Sequence, residues 1–191
     1  MDINTEVHNA FDVIQKGGII LYPTDTVWGI GCDASNEEAV KKIYELKQRM
    51  ETKSMIVLLN GDKMMYYVFK EVPETAWQIL DLSEKPTTLI LDNPRNVAKN
   101  IIAEDNTLGV RVVKEPFCYK LLERMKRPLV STSANISGMP TPKSFKEIAE
   151  ANNNSFLLEI DEFIPAHLLY DPTKLSQILL NLVNNSLKFT R

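Results

Sequence analysis

The stretch IILYPTDTVWGIGCDA, residues 19–34, decides how the rest of the chain is read. It opens with Ile19, Ile20, Leu21 and Tyr22, a short apolar run of the kind that forms a buried strand, halted by Pro23. Thr24, Asp25 and Thr26 follow at the strand's exit. Gly29 and Gly31 mark positions where the backbone must turn or approach something closely.

Both flanks read as helix. Upstream, Val7, Phe11 and Ile14 recur at helical spacing and the pattern stops at Gly17-Gly18. Downstream, SNEE (residues 35–38) offers Ser35 as a cap with Glu38 three residues on, and Val40, Ile43, Tyr44 and Leu46 form the apolar side. The alternation continues: a strand in MIVLL ending at Gly61-Asp62, helices near 63–69 and 74–82, then strands in TTLILD and TLGVRVV. A helix over 116–125 precedes RPLVSTSAN, which runs from a strand into a polar loop, and a short helix is expected over 144–151. The expected class is α/β, a mixed sheet with flanking helices and some neighbouring strands antiparallel.

Composition narrows the function classes. The chain has 191 residues, 44% apolar and 25% charged, which suits one domain or one domain plus a fragment. Its acidic N-terminus lacks the pattern of a signal peptide, and no apolar run is long enough to span a bilayer. The expectation is therefore cytoplasmic, with no membrane partner. Cys32 and Cys118 lack metal-ligand spacing and read as buried thiols; with only His8 and His167, no His/Cys cluster can form. A net charge of −3 argues against a surface that grips nucleic acid throughout, so any cationic site must be a local cluster.

Three segments carry chemistry. Tyr22, Thr24 and Thr26 lie at the exit of the first strand, where the hydroxyls serve either a ligand or the local turn. Lys47, Arg49 and Lys53 crowd three cations into KQRMETKS at a helix end; they either complement the helix dipole or converge on an anion such as a polyphosphate. Ser131, Thr132, Ser133 and Asn135 gather hydroxyls and an amide at a strand's C-terminal edge, where α/β sheets bind ligands, or form a polar turn. No histidine or nucleophile elbow accompanies these serines, so they do not read as nucleophiles.

Taken together, YPTDTVWGIGCDA, the K-x-R-x-x-x-K-S series and STSANISG resemble the YrdC/Sua5 family, the threonylcarbamoyl-AMP synthases, over about residues 12–148. GVRVV, with Arg111, resembles a further family segment, although Val113 stands where proline is usual. Trp28 stands for a frequent tyrosine and Ser54 for a common proline. The resemblance implies a YrdC-like open twisted sheet and condensation of L-threonine, bicarbonate and ATP into threonylcarbamoyl-adenylate with release of pyrophosphate. The product would serve t6A modification of tRNA through downstream threonylcarbamoyl-transferase proteins. Lys47 and Arg49 would act in catalysis; with Lys53 and Arg111 they would bind triphosphate or carbamate. Tyr22, Thr24, Thr26, Thr132 and Ser133 would shape the threonine pocket, and Ser131, Ser133 and Asn135 would contact ATP. Mg2+ would accompany ATP, with no protein ligand assigned to it.

The tail reads differently. DPTKLSQILLNLVNNSLKFT, residues 171–190, forms an amphipathic helical pattern and resembles the N box of sensor histidine kinases, with Asn181, Asn185 and Lys188 at the matching positions. The glycine-rich remainder of such a nucleotide site is missing, so these three are not expected to function here. A junction near EANNNS is expected to divide the chain into a synthase domain, 1–150, lacking its last strands, and an appended segment, 151–191. The alternatives to an active synthase are a non-catalytic RNA-binding module of the same fold and a non-functional chimera carrying the kinase fragment.

Overall fold

The computed structural model describes residues 2–47 and 55–134. Within them, helix α1 (Ile3–Gln15) leads into strands β1 (Ile20–Tyr22) and β2 (Gly29–Gly31), then α2 (Glu37–Leu46) and β3 (Ile56–Leu59). Helices α3 (Asp62–Val68) and α4 (Glu74–Leu82), strands β4 (Leu89–Asp92) and β5 (Thr107–Val112), helix α5 (Pro116–Met125) and strand β6 (Leu129–Ser133) follow. The strands form one sheet in the order β1-β2-β6-β3-β5-β4. Only β3 and β5 run parallel; every other neighbouring pair among the described residues is antiparallel. The α/β class and mixed sheet are as expected, and β2 is an addition: its glycines read as a turn, yet they form a strand paired residue for residue with β1.

Local chemistry explains the helix boundaries. Pro116 opens α5, where its missing N–H costs nothing, and Glu115 caps it by accepting from the Cys118 N–H at 2.7 Å. The helix closes at Lys126 in the left-handed region. In α2 the expected cap is displaced by one residue. Asn36 accepts from the Ala39 N–H at 3.1 Å, while Ser35 turns back to Asp33 Oδ1 at 2.6 Å. The buried side of α2 holds Ala39, Val40, Ile43 and Tyr44 and continues to Lys47, but Leu46 is exposed, because at about 100° per residue it falls off the edge of that stripe.

The core runs through the sheet's centre, with Val57, Leu59, Leu108, Val110, Leu129 and Val130 all buried. Helices α1 and α5 pack together and are tied at their rims by Lys120 to Asn4, Arg124 to His8, and Arg124 over the Phe11 ring. Cys32 and Cys118 are free, buried thiols as expected. Arg49, Lys53, Ser54 and Asn135, the helix over 144–151, the division at 150, the C-terminal amphipathic helix and Asn181, Asn185 and Lys188 lie outside the described residues.

Candidate active site

Register decides which side chains share a face of the sheet. Gly29 pairs with Ser133, Ile56 with both Ser131 and Gly109, and Leu58 with both Arg111 and Leu129. Side chains alternate along each strand, so Gly29, Ser133, Ser131, Ile56, Leu58 and Arg111 project to one side. That side opens into a cavity of about 180 Å3, completed by Thr24, Thr26 and Val27 from the β1–β2 loop and by Thr132. Five of the residues singled out from sequence as binding residues thus meet with Arg111 around one space, although they come from three distant segments.

The loop between β1 and β2 is built by Thr24. Its Oγ1 accepts from the N–H groups of Thr26 and Val27 at 3.1 and 3.2 Å and donates to the Val27 carbonyl at 2.6 Å. Its single proton is therefore spent locally, and the contact with Thr26 Oγ1 at 3.1 Å has Thr26 as the donor. The local-turn reading holds for the Thr24 hydroxyl, while its methyl faces Gly29.

Tyr22 pairs with Gly29 and lies against it, but is not among the residues that line the cavity. It is fully buried, and its ring lies against Gly29 and Gly31. A Cβ on Gly31 would stand 2.2 Å from the Val130 carbonyl oxygen and 2.8 Å from the Tyr22 ring, which is the close approach that the glycine permits. The phenol donates to the Val130 carbonyl at 3.3 Å. Burial pushes its pKa well up, Cys118 and Cys32 add to this, and the Ser131 hydrogen bond and the Arg111 charge oppose it. Tyr22 stays neutral.

Two cations border the site. Lys47 is the C-cap of α2, but it is buried at 2% exposure, which a side chain merely decorating a helix dipole would not be. Its ammonium donates at 2.5 Å to the carbonyl of Ser133, which lines the cavity. Arg111 comes from β5 and is held on one edge by Thr88 Oγ1, which accepts from Nε at 3.2 Å and Nη2 at 3.0 Å. Its Nη1 lies 3.7 Å from Asp25 Oδ1. The roles of Asp25 and Thr88 were missed in the sequence; the β4–β5 pairing that brings Thr88 opposite Arg111 is the signal that reveals the second.

A larger groove of about 860 Å3 lies elsewhere, between the ends of α1, α2 and α5. Four of its polar residues are committed to structural contacts: Asp33 binds Arg127 at 2.7 Å and Ser35 through both N–H and hydroxyl, and Asn36 caps α2. The smaller cavity gathers the side chains of Thr26, Ser131, Thr132 and Ser133 around the Arg111 guanidinium and is the better candidate.

Comparison with known proteins gives the family. The Sua5/YciO/YrdC family model, described as telomere recombination, matches residues 12–167. The chain belongs to this family. A threonylcarbamoyl-AMP synthase of Acinetobacter baumannii is 36% identical over 155 residues, covering 78% of this chain and 82% of that protein. Another, from Pyrococcus abyssi, is 34% identical over 146 residues, covering 76% of this chain but only 43% of its own length. The crystal structure of Pyrococcus abyssi Sua5 complexed with L-threonine superposes with a TM-score of 0.72 at 32% identity, over 79% of this chain and 44% of that one. The family match continues past residue 150, where the sequence suggested a junction. Among the described residues, no helix is long and apolar enough to cross a membrane.

Proposed function

We propose that this protein condenses L-threonine, bicarbonate and ATP into threonylcarbamoyl-adenylate, releasing pyrophosphate, and so supplies t6A modification of tRNA. The observation that carries this reading is the cavity bordered by Arg111, the Thr24–Val27 loop and the Ser131–Ser133 edge. At about 180 Å3 it is smaller than the roughly 300–1,000 Å3 typical of drug-sized ligands, and it suits an amino acid whose partner nucleotide extends outward. The family relatives named threonylcarbamoyl-AMP synthase support it, as does the threonine-bound Pyrococcus relative.

The residues suit the steps. Threonine's amine adds to CO2 from bicarbonate, loses a proton and becomes a carbamate. A carbamate oxygen then bonds to the α-phosphorus of ATP as the bond to the β-phosphate bridge breaks. Both stages build negative charge, which Arg111 and Lys47 would stabilise together with Arg49 and Lys53. Ser131, Thr132, Ser133 and Asn135 would donate to the ligands, and Thr26 would offer its hydroxyl oxygen to threonine, with the Thr24 methyl beside it. The low exposure of Ser131 and Lys47 favours a site that limits water, which an unstable carbamate requires. ATP would enter as its magnesium complex, the ion being part of the substrate, and the product would pass to threonylcarbamoyl-transferase proteins.

Purified protein given threonine, bicarbonate and MgATP should release pyrophosphate only when threonine is present, and Arg49→Ala should lower turnover by about 100-fold or more without unfolding the chain. Threonine-independent release, or none from folded protein, defeats the proposal. We further propose residues 1–150 as the synthase domain and 151–191 as an appended segment, tested by comparing the full chain with one cut after Glu150.

A further inference from the structure

The geometry points to Thr88 as a positioning residue that aims the guanidinium of Arg111 at its anionic ligand, an inference that rests on the function proposed above. Leu89 pairs with Val110 in the antiparallel β4–β5 ladder, so Thr88, the residue just before β4, stands directly across from Arg111 and on the same face. Cross-strand neighbours lie close enough for a short hydroxyl to meet a long side chain folded back along the sheet.

A guanidinium offers two useful edges. Nε and Nη2 form the side edge, and both donate to the single oxygen of Thr88. Nη1 and Nη2 form the end edge, the fork that meets two oxygens of a carboxylate or phosphate. Fixing the side edge therefore sets the direction of the fork, and the fork lies at the wall of the cavity. Asp25, 3.7 Å from Nη1, competes for that edge. The Arg111 and Asp25 side chains are 18% and 22% exposed, so their attraction is only partly screened. With Thr88 holding one edge, Arg111 is kept from closing fully onto Asp25. Thr88 itself is exposed, so its hydrogen bonds add little to stability, and orientation is what they contribute.

Thr88→Val removes the acceptor at nearly constant shape, and Thr88→Ser restores it. The kinetic readout is threonine-dependent pyrophosphate release, with KM measured separately for threonine and for ATP. Thr88→Val should raise one KM by about tenfold, the effect of losing one well-aimed charge-assisted hydrogen bond, while kcat changes less than about threefold. The substrate whose KM rises identifies the anion as the amino-acid carboxylate or the polyphosphate. Thr88→Ser should recover most of the loss. The second readout is the Arg111 Nε–H resonance, assigned by its absence in Arg111→Lys. It should shift in Thr88→Val and return in Thr88→Ser. Unchanged KM values and resonance in Thr88→Val overturn the proposal, as does a Thr88→Ser variant that matches Thr88→Val in both readouts. If the wild-type protein makes no threonine-dependent pyrophosphate, the functional reading fails, and the resonance alone decides: a shift reversed by serine supports positioning, and no shift overturns it.

Discussion

Lys47, which closes α2, donates from its ammonium to the main-chain carbonyl of Ser133, 86 residues further along the chain at the end of β6. The contact joins the start of the cationic segment to the hydroxyl-rich strand edge and sets a buried positive charge beside the proposed site. A buried cation needs partners, and a strand-end carbonyl at the cavity's wall supplies one.

Lys47→Met keeps the side-chain length and removes the charge. Threonine-dependent pyrophosphate release should fall by about 100-fold, the scale of losing one preorganised electrostatic group. Losing the hydrogen bond between the Lys47 ammonium and the Ser133 carbonyl should cost about 1–3 kcal/mol, read as a lower urea midpoint in a protein that still folds. Activity within a few-fold of wild type would remove Lys47 from the machinery.

Asp33 and Arg127 form a pair with unequal stakes. The Asp33 side chain is 10% exposed and also accepts from the Ser35 N–H and hydroxyl, whereas Arg127 is 56% exposed. Arg127→Ala should cost about 1 kcal/mol or less, since Ser35 still satisfies the carboxylate. Asp33→Ala should cost about 3 kcal/mol, because three donors lose their acceptor together. Equal losses in urea unfolding would contradict this asymmetry.

Gly31→Ala should be among the most damaging single-methyl additions in the sheet. The added carbon would meet the Val130 carbonyl oxygen at 2.2 Å and the Tyr22 ring at 2.8 Å, and neither can withdraw without breaking the β2–β6 edge. A cost of about 3 kcal/mol is expected, with loss of soluble protein at higher temperature. Gly29→Ala, whose nearest contacts are 3.1 and 3.2 Å, should be milder for stability. Denaturation midpoints of the two variants should rank in that order.

Stability should fall as pH rises above about 8.5. Burial first, then Asp33, pushes the Cys32 thiol up to about 12, and burial raises Cys118 further, aided by Glu115. An unfolded thiol titrates near 8.5, so above that pH the unfolded chain binds fewer protons than the folded one and gains on it. The thiols' contribution is complete below about pH 8.5 and is lost at roughly 1.4 kcal/mol per pH unit per thiol as pH climbs toward the folded values. Tyr22 acts in the same direction above about pH 10. Urea midpoints from pH 7 to pH 10 should decline, and the decline should be shallower in the Cys32→Ala/Cys118→Ala double variant.

Much of the fold was legible because it is locally encoded. The run ending at Tyr22, the apolar stripe of α2 and the Pro116 start of α5 each state their element within a few residues. β2 was not legible, since Gly-Ile-Gly has no strand preference of its own and becomes a strand only between β1 and β6. The helix cap differed by one residue because Asp33 draws the Ser35 hydroxyl away and leaves Asn36 to meet the Ala39 N–H. In the candidate site, sequence motifs marked Thr24, Thr26, Arg111 and Ser131 to Ser133 as separate polar clusters, but no motif says which of them share a wall.

By itself, the sequence determined the α/β class, the order of its elements apart from β2 and the three polar segments worth attention, because periodicity, turn residues and motif spacing are written along the chain. Only the tertiary structure decided that Lys47 is buried and bonded to Ser133, that Tyr22 packs against Gly29 without lining the cavity, and that Thr88 holds Arg111. Those facts depend on strand register and on the distance between segments far apart in the chain, which are settled when the sheet assembles.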